Sequence, residues 1–110
     1  MKIHLIKKES IEKFILVYPD SRLPFRNWIT ALKGTSWAAP NDILKTFGTA
    51  DLLGRGTNRV IFNIGGNNFR MICFYHFGKS NVHLYIKWIG THAQYDKLCK
   101  EGKQYDVNIY

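Results

Sequence analysis

The sequence predicts an α+β domain, in which N-terminal helices pack on one face of a small, mainly antiparallel sheet and a short C-terminal helix follows. In the first half of the chain, apolar residues recur at the three-to-four-residue spacing that is typical of amphipathic helices. In the second half, runs of β-branched and aromatic residues are separated by glycine-containing turns, which is typical of paired strands. We expect residues 1–110 to form one domain, because a chain of 110 residues can bury a single modest core.

The first half is predicted to contain one strand and three helical segments. Ser10 is the expected N-cap of the first helix, and Gly34 stands where a glycine often ends a helix. In chain order, we expect a strand at residues 2–6, helices at 10–17, from the break at 19–20 to 33, and at 42–47, and a loop at 48–58.

The second half is predicted to be mainly sheet. The Gly65-Gly66 pair is typical of a two-residue hairpin turn, which would set Ile64 opposite Asn67 and Ile61 opposite Arg70. We expect strands at residues 59–64, 67–77 and 82–89, a final helix at 91–100, and an edge strand in the tail at 106–110.

This register predicts one apolar face and one polar face, because side chains alternate along a strand. The apolar face forms the core and includes Val82, Leu84, Ile86 and Trp88 from the third of these strands. The polar face should border one open surface, lined by Arg59, Asn63, Arg70, Lys87 and the turn at Thr91.

Charge and composition narrow the function. The chain has 16 Lys and Arg against 8 Asp and Glu, a net charge of +8, which favours nucleic acid or an acidic protein as partner. No apolar run reaches the roughly 20 residues of a membrane span, and the first residues are too short and too charged for a signal peptide. The two cysteines lack metal-ligand spacing, so we expect reduced thiols and a cytoplasmic location.

The start of the last helix carries a candidate site. Thr91 and Gln94 have the spacing of a capping box, with Thr91 as the N-cap. His92, Tyr95 and Asp96 then lie on adjacent parts of one helix face. A histidine and a tyrosine beside free backbone amides suit acid–base chemistry on a phosphodiester.

Two stretches of the chain are similar to one known family. They read RVIFNIGGNNFRMICFYHF (59–77) and YIKWIGTHAQYDKL (85–98), and they contain a Gly-Gly-Asn hairpin followed by Arg70 and the segment Gly-Thr-His-x-x-Tyr-Asp at 90–96. Together they resemble the HigB family of RelE-like toxins over about residues 59–98. The two N-terminal helices match this family only in order and length.

The resemblance implies the toxin of a type II toxin–antitoxin system with the compact RelE-like fold. Such a toxin is a ribosome-dependent mRNA endoribonuclease that a HigA-like antitoxin neutralises, and it reaches operator DNA only through that antitoxin. In the implied reaction the ribose 2′-OH attacks the adjacent phosphate. Neither a metal nor an organic cofactor is expected, and no membrane contact.

The resemblance also implies roles for individual residues. Arg70 matches the strand arginine that stabilises the pentavalent phosphate. His92 falls where many relatives carry an arginine and is assigned as general acid or base, and Tyr95 would orient the 2′-OH or stack on a base. The substrate-binding candidates are Arg59, Asn63 and Lys87, and the supporting residues are Thr91 and Asp96.

Simpler interpretations exist for the same residues. Arg70 would pair with a carboxylate such as Asp96, and Thr91 and His92 would only cap the helix. His76 and His83 would face each other on the sheet, which is one ligand short of a plausible metal site. The alternative function is a non-catalytic basic RNA-binding or ribosome-associated module, which would bind RNA in a salt-sensitive manner and cleave nothing.

Overall fold

A computed structural model describes residues 1–110 and confirms the α+β class. The strands are β1 Lys2–Ile6, β2 Asp51–Leu53, β3 Arg59–Ile64, β4 Phe69–Phe77 and β5 Asn81–Thr91. The helices are α1 Glu9–Val17, α2 Arg22–Lys33, α3 Asn41–Thr46 and α4 His92–Lys100, with short 3-10 helices at Pro19–Ser21 and Lys103–Tyr105. None of these helices has the length and hydrophobicity of a membrane-spanning segment.

The five strands form one sheet in the order β1-β5-β4-β3-β2. The first strand runs parallel to β5, and every other neighbouring pair is antiparallel. The predicted loop at 48–58 contains β2, a strand of only three residues at the edge of the sheet. So short an edge strand lacks the alternating pattern from which strands are recognised.

The main core lies between one face of the sheet and helices α1, α2 and α3. The largest fully buried side chain belongs to Trp37, whose indole Nε1 donates a hydrogen bond to Thr46 Oγ1 at 2.9 Å. The sheet contributes the apolar face that the sequence predicts, including Val60, Phe62, Ile64, Met71, Cys73, Val82, Leu84 and Ile86.

Helix α4 covers part of the opposite face. Its Leu98 packs with Ile61, Ile72 and Trp88 in a second, smaller hydrophobic cluster, and Tyr95 lies against this cluster. The sheet therefore lies between the N-terminal helices and α4, and the remaining polar side chains share the face with α4.

The turn between β3 and β4 has four residues, 65–68, rather than the predicted two. Its two glycines adopt φ angles of 65° and 66°, which glycine tolerates without steric cost. Ile64 consequently lies opposite Phe69, and Asn63 lies opposite Arg70. The predicted register is wrong by two residues, but the predicted faces are correct because side chains alternate with a period of two.

A bulge in β5 changes the face of one tryptophan. Trp88 lies opposite Ile72, whereas Ile86 lies opposite Cys73, so Lys87 between them has no partner on β4. This extra residue turns Trp88 toward α4 and away from the main core. The prediction that Trp88 belongs to the main core is therefore wrong.

Two smaller predictions also fail. Ser10 is buried inside α1 and caps nothing, because the helix begins one residue earlier, at Glu9, shortly after Lys7 with its φ of 74°. The tail 106–110 is not a strand. It packs over the sheet instead, and the backbone N–H of Ile109 donates to the carbonyl of Lys87 at 3.0 Å.

Candidate active site

Three neighbouring strands bring one row of residues to the edge of α4. Asn63 of β3 lies directly opposite Arg70 of β4, and Gly90 of β5 lies opposite Arg70 on the other side. Since Gly90 has no side chain, the arginine has a bulky neighbour on one flank only. This row places Arg70 where the sheet, the hairpin turn and the start of α4 meet.

The guanidinium of Arg70 bends back over the hairpin turn. Its Nη1 donates to the carbonyls of Phe69 at 3.1 Å and Gly66 at 3.5 Å, and its Nη2 donates to Asn67 Oδ1 at 3.2 Å. The residue is only 8% exposed, and none of the three ion pairs in the molecule includes it. Neutral acceptors hold the guanidinium in place, and it forms no ion pair with a protein carboxylate.

The start of α4 is tied to the same turn. Thr91 Oγ1 accepts from the backbone N–H of Gln94 at 3.2 Å, and Gln94 Oε1 accepts from the N–H of Thr91 at 2.8 Å. This arrangement confirms the predicted capping box. The backbone N–H of His92 donates to the carbonyl of Asn68 at 3.0 Å, which anchors the first turn of α4 on the hairpin.

His92 and Asp96 form a contact on the exposed side of α4. Nε2 of His92 lies 3.5 Å from Oδ2 of Asp96, one helical turn away. About half of each side chain is exposed, so the imidazole is accessible to a ligand. The pair has the geometry in which a carboxylate orients a histidine ring.

Tyr95 lies between α4 and the sheet. Its ring centre is 5.9 Å from the guanidinium carbon of Arg70 and 6.1 Å from the Trp88 ring. Burial raises the pKa of the Tyr95 hydroxyl well above its ordinary value. At neutral pH the hydroxyl is therefore protonated and can donate a hydrogen bond.

Arg59 and Lys87 are held by the C-terminal tail instead of joining Arg70. Arg59 is buried, and its Nη1 donates to the carbonyl of Val107 at 2.7 Å and to that of Gln104 at 3.4 Å. Lys87 Nζ contacts Asn108 Oδ1 at 3.3 Å. The structure thus divides the candidates into a group around Arg70 and two cations beneath the tail.

The remaining substrate-binding candidate stays in the Arg70 group. Asn63 is half-buried, and its Nδ2 donates to the carbonyl of Thr49 at 3.2 Å. It lies directly opposite Arg70 in the register of β3 and β4.

Sequence reasoning missed two residues that shape this region. One is Asn67, the side-chain acceptor of Arg70, which the sequence identifies only as a turn residue. The other is Gly90, where an added Cβ would collide with the Trp88 ring. Gly90 lies within β5, where a glycine often marks a close approach, but the predicted strand ended at residue 89 and so left this signal unread.

The structure does not place metal-ligating side chains or the largest cavity at Arg70. No group of three or more His, Cys, Asp or Glu side chains is positioned to hold a metal ion. A cavity of about 550 Å³ lies beneath α4 and the tail, and its lining includes none of Arg70, His92 or Tyr95. At the candidate site His92 is exposed, Asn63 and Tyr95 are half-buried, and Arg70 is buried.

The candidate site lies within a segment that is similar to known proteins. A family model described as HigB toxin, the RelE-like toxic component of a toxin–antitoxin system, matches residues 21–98. Over 98 residues the chain is 29% identical to a protein of Escherichia coli O6:H1 named mRNA interferase HigB, an alignment that covers 89% of this chain and 93% of that protein.

Proposed function

The chain belongs to the HigB family of RelE-like toxins, the toxic components of toxin–antitoxin systems, and we propose that it is an endoribonuclease that cuts mRNA on the ribosome. The name of the Escherichia coli relative, an mRNA interferase, supports mRNA as the substrate. The net charge of +8 supports a polyanionic substrate independently of that name.

The guanidinium of Arg70 is the observation that carries the proposal. Arg70 lies opposite the neutral residue Asn63, its guanidinium donates to neutral acceptors, and it forms no ion pair with a carboxylate. A fixed cation of this kind stabilises negative charge that develops on a phosphate, and it needs no reorganisation at the moment of reaction.

In the proposed reaction, the ribose 2′-OH attacks the adjacent phosphorus. A bond forms between O2′ and phosphorus while the bond from phosphorus to O5′ breaks, which leaves a 2′,3′-cyclic phosphate and a 5′-OH. A base takes the proton of the 2′-OH, and an acid returns a proton to O5′. Because the nucleophile belongs to the RNA itself, no metal-bound water is required, and we propose that the reaction is metal-independent.

We assign the protein side chains as follows. Arg70 stabilises the pentavalent phosphate, and His92 acts as general acid or base with Asp96 as the carboxylate that orients its ring. Tyr95 remains protonated and donates its hydroxyl hydrogen to the ribose or stacks on a base. Asn63 contacts the substrate beside Arg70, and Thr91 holds the helix start in position.

The family implies an antitoxin partner. We propose that this partner is HigA-like, that the chain meets operator DNA only through it, and that the chain acts in the cytoplasm, where ribosomes and mRNA are found. We further propose that residues 1–110 act as one toxin domain.

The test is cleavage of a defined mRNA by the purified chain, with and without programmed ribosomes, and with cut sites mapped by primer extension. Codon-phased cuts that need ribosomes and leave 2′,3′-cyclic phosphate ends are expected from the unmodified chain. Arg70→Ala should remove them, whereas Arg26→Ala, at an exposed arginine of α2, should leave them unchanged.

Three outcomes would contradict parts of this proposal. Cuts without ribosomes would reject the ribosome dependence, and unchanged cutting by folded Arg70→Ala would reject the site. Intact mRNA under every condition, together with normal growth on expression, would favour the non-catalytic RNA-binding module.

A further inference from the structure

The face of the sheet that carries Arg70 continues beyond the tail as a row of aromatic rings. Phe74 and Tyr85 lie opposite each other with ring centres 5.9 Å apart, and Tyr85 lies 6.4 Å from His83. His83 stacks with His76 at 6.1 Å and meets His4 of β1 at 5.9 Å. We call these five residues the aromatic platform.

No helix covers the aromatic platform. Phe74 and Tyr85 belong to neither hydrophobic cluster, although both are large rings on a sheet face. A cavity of about 370 Å³ opens above them, lined by Phe74, His76, Tyr85 and Lys87. Cross-strand ring pairs stabilise a sheet in any protein, but that role does not require the rings to remain partly exposed to solvent.

The charged side chains on the strands of the platform are positive. The strands β1, β4 and β5 contain no Asp or Glu. Lys87 Nζ lies 5.6 Å from the centre of the Tyr85 ring, and Lys2 lies on the same face of β1 as His4. Partly exposed rings on strands that carry cations and no carboxylate match a ligand that has both flat aromatic faces and negative phosphates.

We propose that the aromatic platform binds unpaired bases of the single-stranded mRNA substrate, by stacking on Phe74 and Tyr85. Single-stranded nucleic acids are held in this way, with basic groups on the backbone and aromatic side chains against successive bases. A duplex hides its base faces, so it would gain only the charge contacts.

The position of the platform suits a second contact with the RNA strand that is cut at Arg70. Phe74 is four residues after Arg70 on β4, which corresponds to about 13 Å along a strand. The C-terminal tail crosses the sheet between them, since its Val107 packs on the hydrophobic cluster that contains Ile72 and its Asn108 contacts Lys87. The platform is therefore separate from the candidate active site but close enough for one RNA strand to reach both. This inference rests on the proposed function in taking mRNA as the substrate.

The test is fluorescence anisotropy with a short, labelled, single-stranded RNA and its duplex, measured with the full chain carrying Arg70→Ala so that no RNA is cut. Phe74→Leu and Tyr85→Leu remove one aromatic face each while they keep apolar bulk in the sheet. Each is expected to weaken binding of the single strand about tenfold, without changing duplex binding or the salt dependence.

Two further variants serve as controls. Tyr85→Phe keeps the ring and should bind as the parent does. Tyr105→Leu removes a ring that pairs with Arg55 at 4.2 Å, outside the platform, and should have no effect. Equal single-strand binding by the Leu variants and the parent would overturn the proposal, as would an equal loss of duplex binding.

The anisotropy result tests the platform independently of nuclease activity, because binding is measured on uncleaved RNA. If the Leu variants bind RNA as the parent does but lose a copurifying antitoxin, the platform is a protein interface and the proposal is wrong.

Discussion

The guanidinium carbon of Arg70 lies 5.9 Å from the centre of the Tyr95 ring, so a cation on β4 faces an aromatic ring on α4. The same helix begins at His92, whose backbone is bonded to the hairpin turn that holds Arg70. These two contacts therefore fix the position of Arg70 relative to the start of α4. A substrate phosphate at Arg70 would meet a preorganised set of groups.

We expect Arg70→Ala to lower the cleavage rate by about 10²–10³-fold, the usual effect of removing a group that stabilises developing charge. Arg70→Lys should recover only part of this loss, because an ammonium cannot reproduce the planar fork of a guanidinium. The measurement is the single-turnover rate on ribosomes, with thermal unfolding recorded for each variant. A fully active Arg70→Lys variant would show that only the charge matters.

We expect His92→Ala to lower cleavage by about 10²–10⁴-fold with little change in the unfolding temperature, because the side chain is half exposed and makes its one contact with Asp96. Asp96→Asn keeps the shape of that side chain and should cause a smaller loss. The measurement is the pH dependence of the cleavage rate. An unchanged pH–rate profile in His92→Ala would show that His92 serves only in the helix cap and has no part in catalysis.

We expect Tyr95→Phe to lower cleavage about tenfold, the effect of losing one hydrogen bond of roughly 1.4 kcal/mol. Burial raises the pKa of this hydroxyl, so it donates a hydrogen bond and does not act as a base near neutral pH. The alkaline part of the pH–rate profile should therefore be the same in both proteins. If the alkaline limb of the pH–rate profile disappears in Tyr95→Phe, the hydroxyl acts as a base and its role as a donor is contradicted.

The faces of the sheet could be predicted from the sequence, although the exact pairing could not. Because the turn has four residues, Arg70 lies opposite Asn63 and not opposite the predicted partner Ile61. Both partners lie on the same face of the sheet because the register shifts by two residues. The bulge at Lys87 shifts β5 by one residue, and that shift moves Trp88 to the other face. A bulge leaves no mark in an alternating pattern until the partner strand is known.

The candidate site was predictable where it depends on local spacing. The capping box of Thr91 and Gln94 and the contact of His92 with Asp96 involve residues three and four positions apart. The surroundings of Arg59 depend on carbonyls 45 and 48 positions away, in a tail with no periodic pattern. Sequence reasoning has no means of placing such a tail on the sheet.

We expect Arg59→Ala to lower the free energy of unfolding by about 2 kcal/mol, because a buried guanidinium would no longer satisfy two carbonyls of the tail. Burial also lowers the pKa of this guanidinium, which nevertheless stays charged at neutral pH. The measurement is urea unfolding, with Lys33→Ala at an exposed lysine of α2 as the control. Loss of cleavage at unchanged stability would instead support the phosphate-binding role expected from the sequence.

We expect the free energy of unfolding to fall as the pH rises above about 8.5, the ordinary pKa of a thiol. Burial raises the pKa of the Cys73 thiol, so in this range the unfolded chain has released a proton that the folded chain still holds. The unfolded state then binds fewer protons, and stability decreases with pH, by about 2 kcal/mol between pH 8.5 and 10 from this one group. The free energy of unfolding, measured with urea at pH 8.5 and at pH 10, should differ less in Cys73→Ala than in the unmodified chain. The cavity left by the substitution lowers both values equally, so it does not affect this difference. Equal differences in the two proteins would assign the alkaline loss to the buried tyrosines instead.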